Sequence, residues 1–334
     1  MLILAGGVVR SSGSGMGCPD WPKCFGRIIP PISQDQLPPG YQEEFIKGRI
    51  VKNQRFSKTL DVLGFSQLAS RIRDDKSFLH PESFNATKTW TEYVNRLIGA
   101  LTGLLLLACA VLSVTYLQSR KRIFFWSVFN LFLVIFQAWL GSIVVSTNLL
   151  AWVVTVHMVL ALAIVAISIY TFFQARVLRE RSLLANQKAG SIKTVTVLAL
   201  ILTVIQIVLG TDVREQIDAI SESMNNLNRS EWLQHVGVVF SLHRDLAIIA
   251  LILNSALLVL IRRKYLGNSY QFKFITYTVF LVFMQIIVGI TLSYIGLPPI
   301  SQAVHILLAS LIFGAQYYLL LLLKQNKLYR SRIR

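Results

Sequence analysis

Cysteine and acidic residues are both scarce in this sequence of 334 residues. The three cysteines are too few for a disulfide scaffold, and Cys109 lies inside an apolar run, where a thiol is expected only to pack between helices. The 16 acidic residues are outnumbered by 33 basic ones, which gives a formal charge of +17. Because the basic residues cluster in short loops between apolar runs, where they orient membrane helices, we predict no binding to nucleic acid.

The pattern of a secretory signal peptide is also missing from the N-terminal run. The N-terminal run "MLILAGGVV" has neither a basic stretch nor a cleavage pattern, and it is too short to cross a membrane, so it resembles the end of a truncated helix. Hydrophobic residues nevertheless make up 54% of the chain. Seven further apolar runs approach the roughly 20 residues that a membrane-spanning helix needs, so we predict an all-α integral membrane protein. They lie at about 94–117, 123–146, 151–173, 194–211, 238–261, 274–296 and 302–323.

Loop charge predicts the orientation of these spans. The loops after the first, third and fifth runs are rich in Lys and Arg, as is the tail from Lys324 to Arg334. Basic short loops stay in the cytoplasm, so the C-terminus is predicted to be cytoplasmic and the segment 10–90 to lie outside.

An internal repeat relates the two halves of the chain. Adding 148 to a residue number, with no gap over more than sixty residues, joins these pairs: Arg96 and Arg244, Gln137 and Gln285, Gly141 and Gly289, His157 and His305. Asn95 falls on His243. Four helices per repeat give both halves the same orientation, so we predict two tandem four-helix bundles related by a pseudo-twofold axis along the membrane normal. The first covers 1–175, with a truncated first helix and a long outer loop over 10–90, and the second covers 190–325.

Intramembrane histidines are the strongest functional signal. His243 and His305 each begin the outer end of a helix in the second bundle, and two imidazoles on facing helices are a usual way to hold a haem by both axial positions. Zinc is less favoured because no third or fourth ligand repeats at this depth. The alternative for a single histidine is a hydrogen bond to a neighbouring helix. His80 and His235 have no repeat partner and are interpreted as ordinary loop residues.

Several recurring residues have more than one possible role. Four arginines at the predicted outer edge either pair with haem propionates or extend to the interface: Arg10, Arg96, Arg214 and Arg244. Three glycines either let helices approach closely or make room for a flat macrocycle: Gly141, Gly210 and Gly289. Three glutamines lie four residues before these glycines, where an interhelical hydrogen bond is the expected role: Gln137, Gln206 and Gln285.

These motifs resemble the haem A synthase family through nearly the whole chain. "GGVVRSSGSGMGCPDWPKCFG" (6–26) is similar to the first outer-loop signature of the family, "EYVNRLIG" resembles its Glu-x-x-His-Arg helix start, and "STNLLAWVVTVHMVLA", "LHRDLA" and "SQAVHILLA" resemble its other histidine helices. The resemblance implies an eight-helix membrane oxidoreductase that oxidises the C8 methyl of haem O to a formyl, giving haem A for terminal oxidases. It also implies haem b as cofactor in the C-terminal half and the substrate haem in the N-terminal half.

Carried over residue by residue, the resemblance assigns His243 and His305 as ligands of haem b and places His157 and Glu92 in the substrate site. This sequence departs from the family at Asn95, where a histidine is expected. We therefore expect His157 to hold the substrate iron on one side, with the opposite position open or filled by water that Asn95 binds. Glu92, Asn95 and Arg96 share one helix face by their spacing, and Glu92 is a candidate proton relay. The alternative for Glu92 is an interfacial charge paired with Arg96.

Two competing functions remain at this stage. A diheme b-type electron-transfer protein would be expected to have four equivalent histidines, and a transporter would be expected to have broken helices at mid-membrane. The resemblance further implies a bacterial inner-membrane location, haem O synthase and an unidentified electron acceptor as partners, and the lipid bilayer as surroundings, while a homo-oligomer is left open. In "CPDWPKC" two prolines bend the chain, so Cys18 and Cys24 are predicted to form a disulfide outside, with a structural role or one in redox or substrate handling.

Overall fold

The computed structural model describes residues 1–74, 83–147, 151–180, 183, 189–225, 227–229 and 231–324. Within these ranges the chain forms eleven α-helices: Leu2–Ser11 (α1), Tyr41–Val62 (α2), Ser66–Asp74 (α3), Ala86–Leu112 (α4), Leu117–Ser146 (α5), Ala151–Arg179 (α6), Ser191–Ser223 (α7), Trp232–His235 (α8), Val238–Lys264 (α9), Tyr270–Tyr294 (α10) and Pro299–Leu322 (α11). His80 and the predicted basic tail beyond Lys324 lie outside the described residues.

The predicted membrane spans all appear as helices. Six helical segments of the described chain are long and apolar enough to cross a membrane, and the first of them, Ala86–Ser146, is 61 residues long. At about 1.5 Å per residue it would extend roughly 90 Å, three times the hydrocarbon thickness of a bilayer. The chain leaves helical geometry at Arg120, so this segment contains the two predicted spans α4 and α5. The protein is therefore an all-α integral membrane protein.

Helix boundaries repeat at the predicted offset. The end of α5 at Ser146 and the end of α10 at Tyr294 differ by 294 − 146 = 148 residues. The starts of α6 at Ala151 and α11 at Pro299 also differ by 299 − 151 = 148. The internal repeat is thus a repeat of helices as well as of residues.

The chain forms two compact units, defined by their internal contacts. One comprises Met1–Leu105 and Phe132–Leu160, and the other comprises Leu106–Leu131 and Ala161–Arg334. In the second unit α7 packs on α9, α9 on α10, α10 on α11 and α11 on α7, which closes a four-helix bundle. The boundaries of these units fall inside α4, α5 and α6, so the units are not the two halves of the repeat. The division into 1–175 and 190–325 stays a prediction.

Much of the outer segment is helical, which the sequence did not predict. α2 packs against α3, and Phe56 of α2 stacks on Trp152 at a ring-centroid distance of 6.3 Å. Asn53 Nδ2 donates a hydrogen bond to the carbonyl oxygen of Ser146 at 3.0 Å. These contacts connect α2 to the adjoining ends of α5 and α6 within the first unit.

Candidate functional site

Two histidines meet in the bundle of the second unit. His243 lies in the second turn of α9 and His305 in the second turn of α11, and their ring centroids are 6.4 Å apart with an angle of 61° between the planes. A metal bound to both rings would fit a separation of this size, because a metal–imidazole bond is about 2 Å long. The predicted facing pair of imidazoles is therefore present.

Each ring lies against a glycine of the preceding long helix. A Cβ atom added to Gly210 would lie 3.4 Å from His243 Cε1, and one added to Gly289 would lie 3.4 Å from His305 Cε1. A larger side chain at either position would press on the imidazole, so these glycines determine where the rings can lie. In addition, Gln206 Nε2 donates to the carbonyl oxygen of His243 at 2.9 Å, which confirms an interhelical role for this glutamine.

The first unit contains the same arrangement around His157. A Cβ atom on Gly141 would lie 3.5 Å from His157 Cε1, and Gln137 Nε2 donates to the carbonyl oxygen of His157 at 2.8 Å. The fourth copy is altered, because a Cβ atom on Gly6 would lie 4.0 Å from the Oδ1 atom of Asn95. The structure thus places Asn95 against a glycine, as it places the three histidines.

Buried polar atoms at these positions have no protein partner. The Nδ1 atoms of His157, His243 and His305 and the Oδ1 atom of Asn95 are buried without a hydrogen bond to any described residue. Unpaired buried polar atoms cost free energy, and they concentrate where a ligand or water binds. Among the described residues, no group of three or more His, Cys, Asp or Glu is placed to hold a metal ion.

Glu92 and Arg96 hold the outer loop onto α4. The Glu92 side chain is buried, and it accepts hydrogen bonds from the backbone N–H of Cys18 at 2.8 Å and from Arg96 Nη2 at 2.5 Å. Arg96 also donates to the carbonyl oxygens of Cys18, Asp20 and Lys23, at 3.1, 2.6 and 2.8 Å. The ion pair between Glu92 and Arg96, which was the alternative for Glu92, is therefore present. The pair also holds the loop in position.

That loop is closed by the predicted disulfide between Cys18 and Cys24, which the structure contains. Gly17 packs so closely on α4 that an added Cβ atom would lie 2.5 Å from the carbonyl oxygen of Lys88. Thr89 Oγ1 donates to the carbonyl oxygen of Gly17 at 2.9 Å. Only glycine fits this backbone approach, so the loop, its disulfide and the start of α4 form one packed element.

The arginines at the predicted outer edge differ in their surroundings. Arg214 forms an ion pair with Asp218 at 2.7 Å and donates to the side chain of Gln302, whereas Arg244 is 65% exposed, 3.5 Å from Asp245. Sequence reasoning missed Arg229, which donates to the carbonyl oxygen of Leu297 at 2.6 Å. Burial lowers the pKa of Arg229, and the positive charge of Arg214 lowers that pKa further.

Comparisons with known proteins identify the family of this chain. A family model described as "Cytochrome oxidase assembly protein" matches residues 1–49 and 76–317. The protein named Heme A synthase in Shewanella oneidensis is 22% identical over 71% of this chain, a match that spans 60% of that protein's own length. Proteins of the same name in Wolbachia sp. subsp. Brugia malayi and Wolbachia pipientis subsp. Culex pipiens are each 25% identical over 98% and 97% of this chain and 94% of their own lengths. No solved structure matches the chain.

Proposed function

The chain belongs to the cytochrome oxidase assembly protein family, and from this premise we propose that it is a haem A synthase. The reaction is oxidation of the C8 methyl of haem O to a formyl, which makes the enzyme a membrane oxidoreductase. The observation that carries the proposal is the difference between the two sites: His243 and His305 form a pair, whereas the fourth glycine-backed position holds Asn95. An electron-transfer protein with two equivalent haems gives no reason for that difference.

In the C-terminal bundle we propose that His243 and His305 hold haem b. The fit is supported by their 6.4 Å separation, by the glycine beneath each ring and by the buried Nδ1 atoms without a protein partner. Bound haem would supply one-electron chemistry at its iron. The chain contributes orientation, because Gly210 and Gly289 limit where the imidazoles can lie and Gln206 holds the backbone of His243.

In the N-terminal site we propose that His157 binds the iron of the substrate and that Asn95 faces a position open to water. An amide is a poor ligand for iron compared with imidazole, but its oxygen accepts hydrogen bonds well. The Oδ1 atom of Asn95 is buried without a protein partner, which suits a water molecule at that position. Asn95 would then orient water or an oxygen species, and His157 would hold the substrate.

Glu92 is proposed to hold and transfer a proton for this site. Its Oε2 atom accepts from the Cys18 amide and its Oε1 atom from Arg96, so protonation of either oxygen would weaken a contact to the outer loop. Proton transfer and loop position are therefore coupled in this proposal. Arg96 acts in it mainly as a positioning residue, because its guanidinium already donates to three loop carbonyls.

The remaining assignments follow from the same premise. Arg244 is the better candidate for pairing with a haem propionate, since its side chain is exposed and its contact to Asp245 is long. We place the protein in the bacterial inner membrane, with its C-terminus in the cytoplasm and residues 10–90 outside. Haem O synthase is the expected source of the substrate, an electron acceptor must receive the electrons, and a homo-oligomer is left open.

Chromatography of extracted haems tests the proposal directly. Cells that supply haem O and express this chain are expected to accumulate haem A or its alcohol and aldehyde intermediates, and the His157→Ala variant is expected to accumulate none. The His235→Ala variant is the matched control, because His235 is exposed and, among the described residues, its ring hydrogen-bonds to the backbone of Glu231 alone. Haem b alone, in equal amounts at both sites, would overturn the proposal and favour the diheme electron-transfer protein.

A further inference from the structure

Four basic side chains surround one cavity in the second unit. The cavity has a volume of about 380 Å³ and is lined by Arg120, Lys121, Arg122, Gln174 and Lys324. The lining residues come from the start of α5, the last turns of α6 and the residues just after α11. None of these residues takes part in the proposed reaction.

The backbone at Arg120 explains how three consecutive cations line one space. In a regular helix, consecutive side chains point about 100° apart, so three in a row do not face the same side. Arg120 has φ −158° and ψ 80°, an extended conformation that interrupts the helix. Its Nη1 atom donates to Oε1 of the buried Gln174 at 2.6 Å. The interruption and this hydrogen bond hold the cluster together.

The cluster has no acidic counterpart in the described part of the chain. None of the four cations forms an ion pair with a described Asp or Glu. Like charges around one space repel each other, and the repulsion is stronger near the low-dielectric membrane than in water. An anion bound in the cavity would replace this electrostatic repulsion by attraction.

Exposed aromatic side chains on the two helices that line the cavity point to a lipid. Phe125 follows Arg122 by three residues and is 62% exposed, and Phe172 precedes Gln174 by two residues and is 59% exposed. Apolar surface of this kind on a membrane helix is covered by acyl chains. We propose that the cavity binds the phosphate headgroup of an anionic membrane lipid, whose chains cover these aromatic residues.

The general preference of basic loops for the cytoplasm does not by itself predict such a site. Arg262 and Arg263, at the end of α9, are equally basic and exposed, but they do not line this cavity. They therefore serve as a matched control, since replacing them removes the same charge without changing the cavity.

Native mass spectrometry of the full-length protein tests the proposal. The protein would be taken from bilayers that contain phosphatidylglycerol and phosphatidylcholine, and the retained lipids would be counted. Wild type and Arg262→Gln/Arg263→Gln are expected to retain phosphatidylglycerol. Arg122→Gln/Lys324→Gln is expected to bind it roughly 30-fold more weakly, since each basic residue near an anionic surface contributes about fivefold. Equal retention by both double variants would overturn the proposal.

Two further measurements keep the test decisive. If the double variant does not fold, Lys324→Gln alone suffices, because Lys324 lies after the end of α11 and its loss interrupts no helix. A roughly fivefold weakening is expected for this single variant. Thermal stability in lipid-free detergent would then be compared with and without inorganic phosphate. Stabilisation by phosphate that equals the effect of phosphatidylglycerol would overturn the lipid as the source of the anion, whereas stabilisation by the lipid alone supports it.

Discussion

The N-terminal and C-terminal sites share a scaffold but present different groups on it. In both, a glycine lies beneath an imidazole ring and a glutamine donates to the carbonyl oxygen of the same histidine; the two sets are Gln137, Gly141 and His157, and Gln206, Gly210 and His243. Under the repeat, His157 corresponds to His305, whereas the glycine-backed position that holds His243 in the C-terminal site holds Asn95 in the N-terminal site. A single side chain therefore makes the two sites chemically unequal.

The outer loop is the second difference. In the N-terminal site Glu92 and Arg96 fasten a disulfide-closed loop to α4, whereas the repeat partner of Glu92 is Phe240 and the partner of Arg96 is the exposed Arg244. The loop adds buried charge and a covalent crosslink to one site only. The comparison teaches that a symmetrical helix scaffold can become asymmetric through local additions at its ends.

The largest expected effect is at the paired histidines. His243→Ala or His305→Ala is expected to abolish the low-spin haem signal of the purified protein, because one axial ligand is lost in each variant. The absorption and electron paramagnetic resonance spectra measure this, and His235→Ala is expected to leave them unchanged. A low-spin spectrum that survives in both single variants would show that the C-terminal site does not hold haem through this pair.

Replacing Glu92 is expected to have the next largest effect. Glu92→Ala removes one partner of a buried ion pair, which costs about 3 to 5 kcal/mol, so the outer loop should become sensitive to protease and conversion of haem O should stop. Asp61→Ala is the control, because it breaks an exposed ion pair in the same unit. The side chains of Arg73 and Asp61 in this pair are 47% and 32% exposed. That exposed pair should contribute at most about 1 kcal/mol.

The Glu92→Gln variant separates the two roles of this residue. Glutamine keeps an acceptor for the Cys18 amide but loses the ion pair to Arg96 and cannot transfer the proton, so the loop should be less sensitive to protease than in Glu92→Ala while conversion is lost. Full conversion by Glu92→Gln would mean that Glu92 serves only to position the loop.

The sequence was informative where a periodic signal exists. Seven apolar runs became seven long helices, and the offset of 148 predicted the boundaries shared by α5 with α10 and by α6 with α11. The same offset joined Gln137 and Gly141 with Gln285 and Gly289, and the four-residue spacing between glutamine and glycine added Gln206 and Gly210. The disulfide was also predicted, since its two cysteines are close in sequence.

The contacts of the outer segment could not be predicted in this way. α2 has no apolar period, since its buried face includes Arg49 and Asn53 beside Phe56. The bond from Asn53 to Ser146 spans 93 residues and the bond from Cys18 to Glu92 spans 74. Polar side chains and contacts between residues far apart in the sequence give no periodic sequence pattern. The fold of the outer segment therefore could not be predicted from the sequence.

Removing the disulfide is expected to have an effect of intermediate size, and on the N-terminal site only. Cys18→Ser/Cys24→Ser is expected to destabilise the first unit by about 2 to 3 kcal/mol, the amount expected for a short closed loop. Thermal unfolding, monitored by protease cleavage of the outer loop, measures the change. The low-spin haem spectrum of the second unit is the internal control and should not change. Equal losses at both sites would show that the disulfide does not act on the N-terminal site alone.

Asn95 is expected to have a smaller effect than these residues. Asn95→Ala removes about one hydrogen bond, near 1 kcal/mol, so conversion should slow about fivefold while binding of haem O is largely retained. Asn95→His sharpens the comparison, because a second imidazole should convert a high-spin substrate complex into a low-spin one. If wild-type protein with haem O bound already shows two low-spin haems, the proposed inequality of the sites is wrong.

The smallest expected effects test what the two sites have in common. Gln137→Leu and Gln206→Leu each remove one interhelical hydrogen bond to a histidine carbonyl, and such bonds in membranes contribute about 0.6 kcal/mol on average. All three glutamines have a buried Oε1 atom without a partner among the described residues, but Gln285, four residues before Gly289, also lacks the Nε2 bond to a described histidine carbonyl. Gln285→Leu should therefore be neutral or slightly stabilising, because it removes an unsatisfied acceptor and breaks no such bond. Reversible unfolding in mixed micelles would measure all three changes. Equal losses for the three variants would mean that the glutamines act through packing alone, whereas similar losses for Gln137 and Gln206 only would support a hydrogen-bonded scaffold common to both sites.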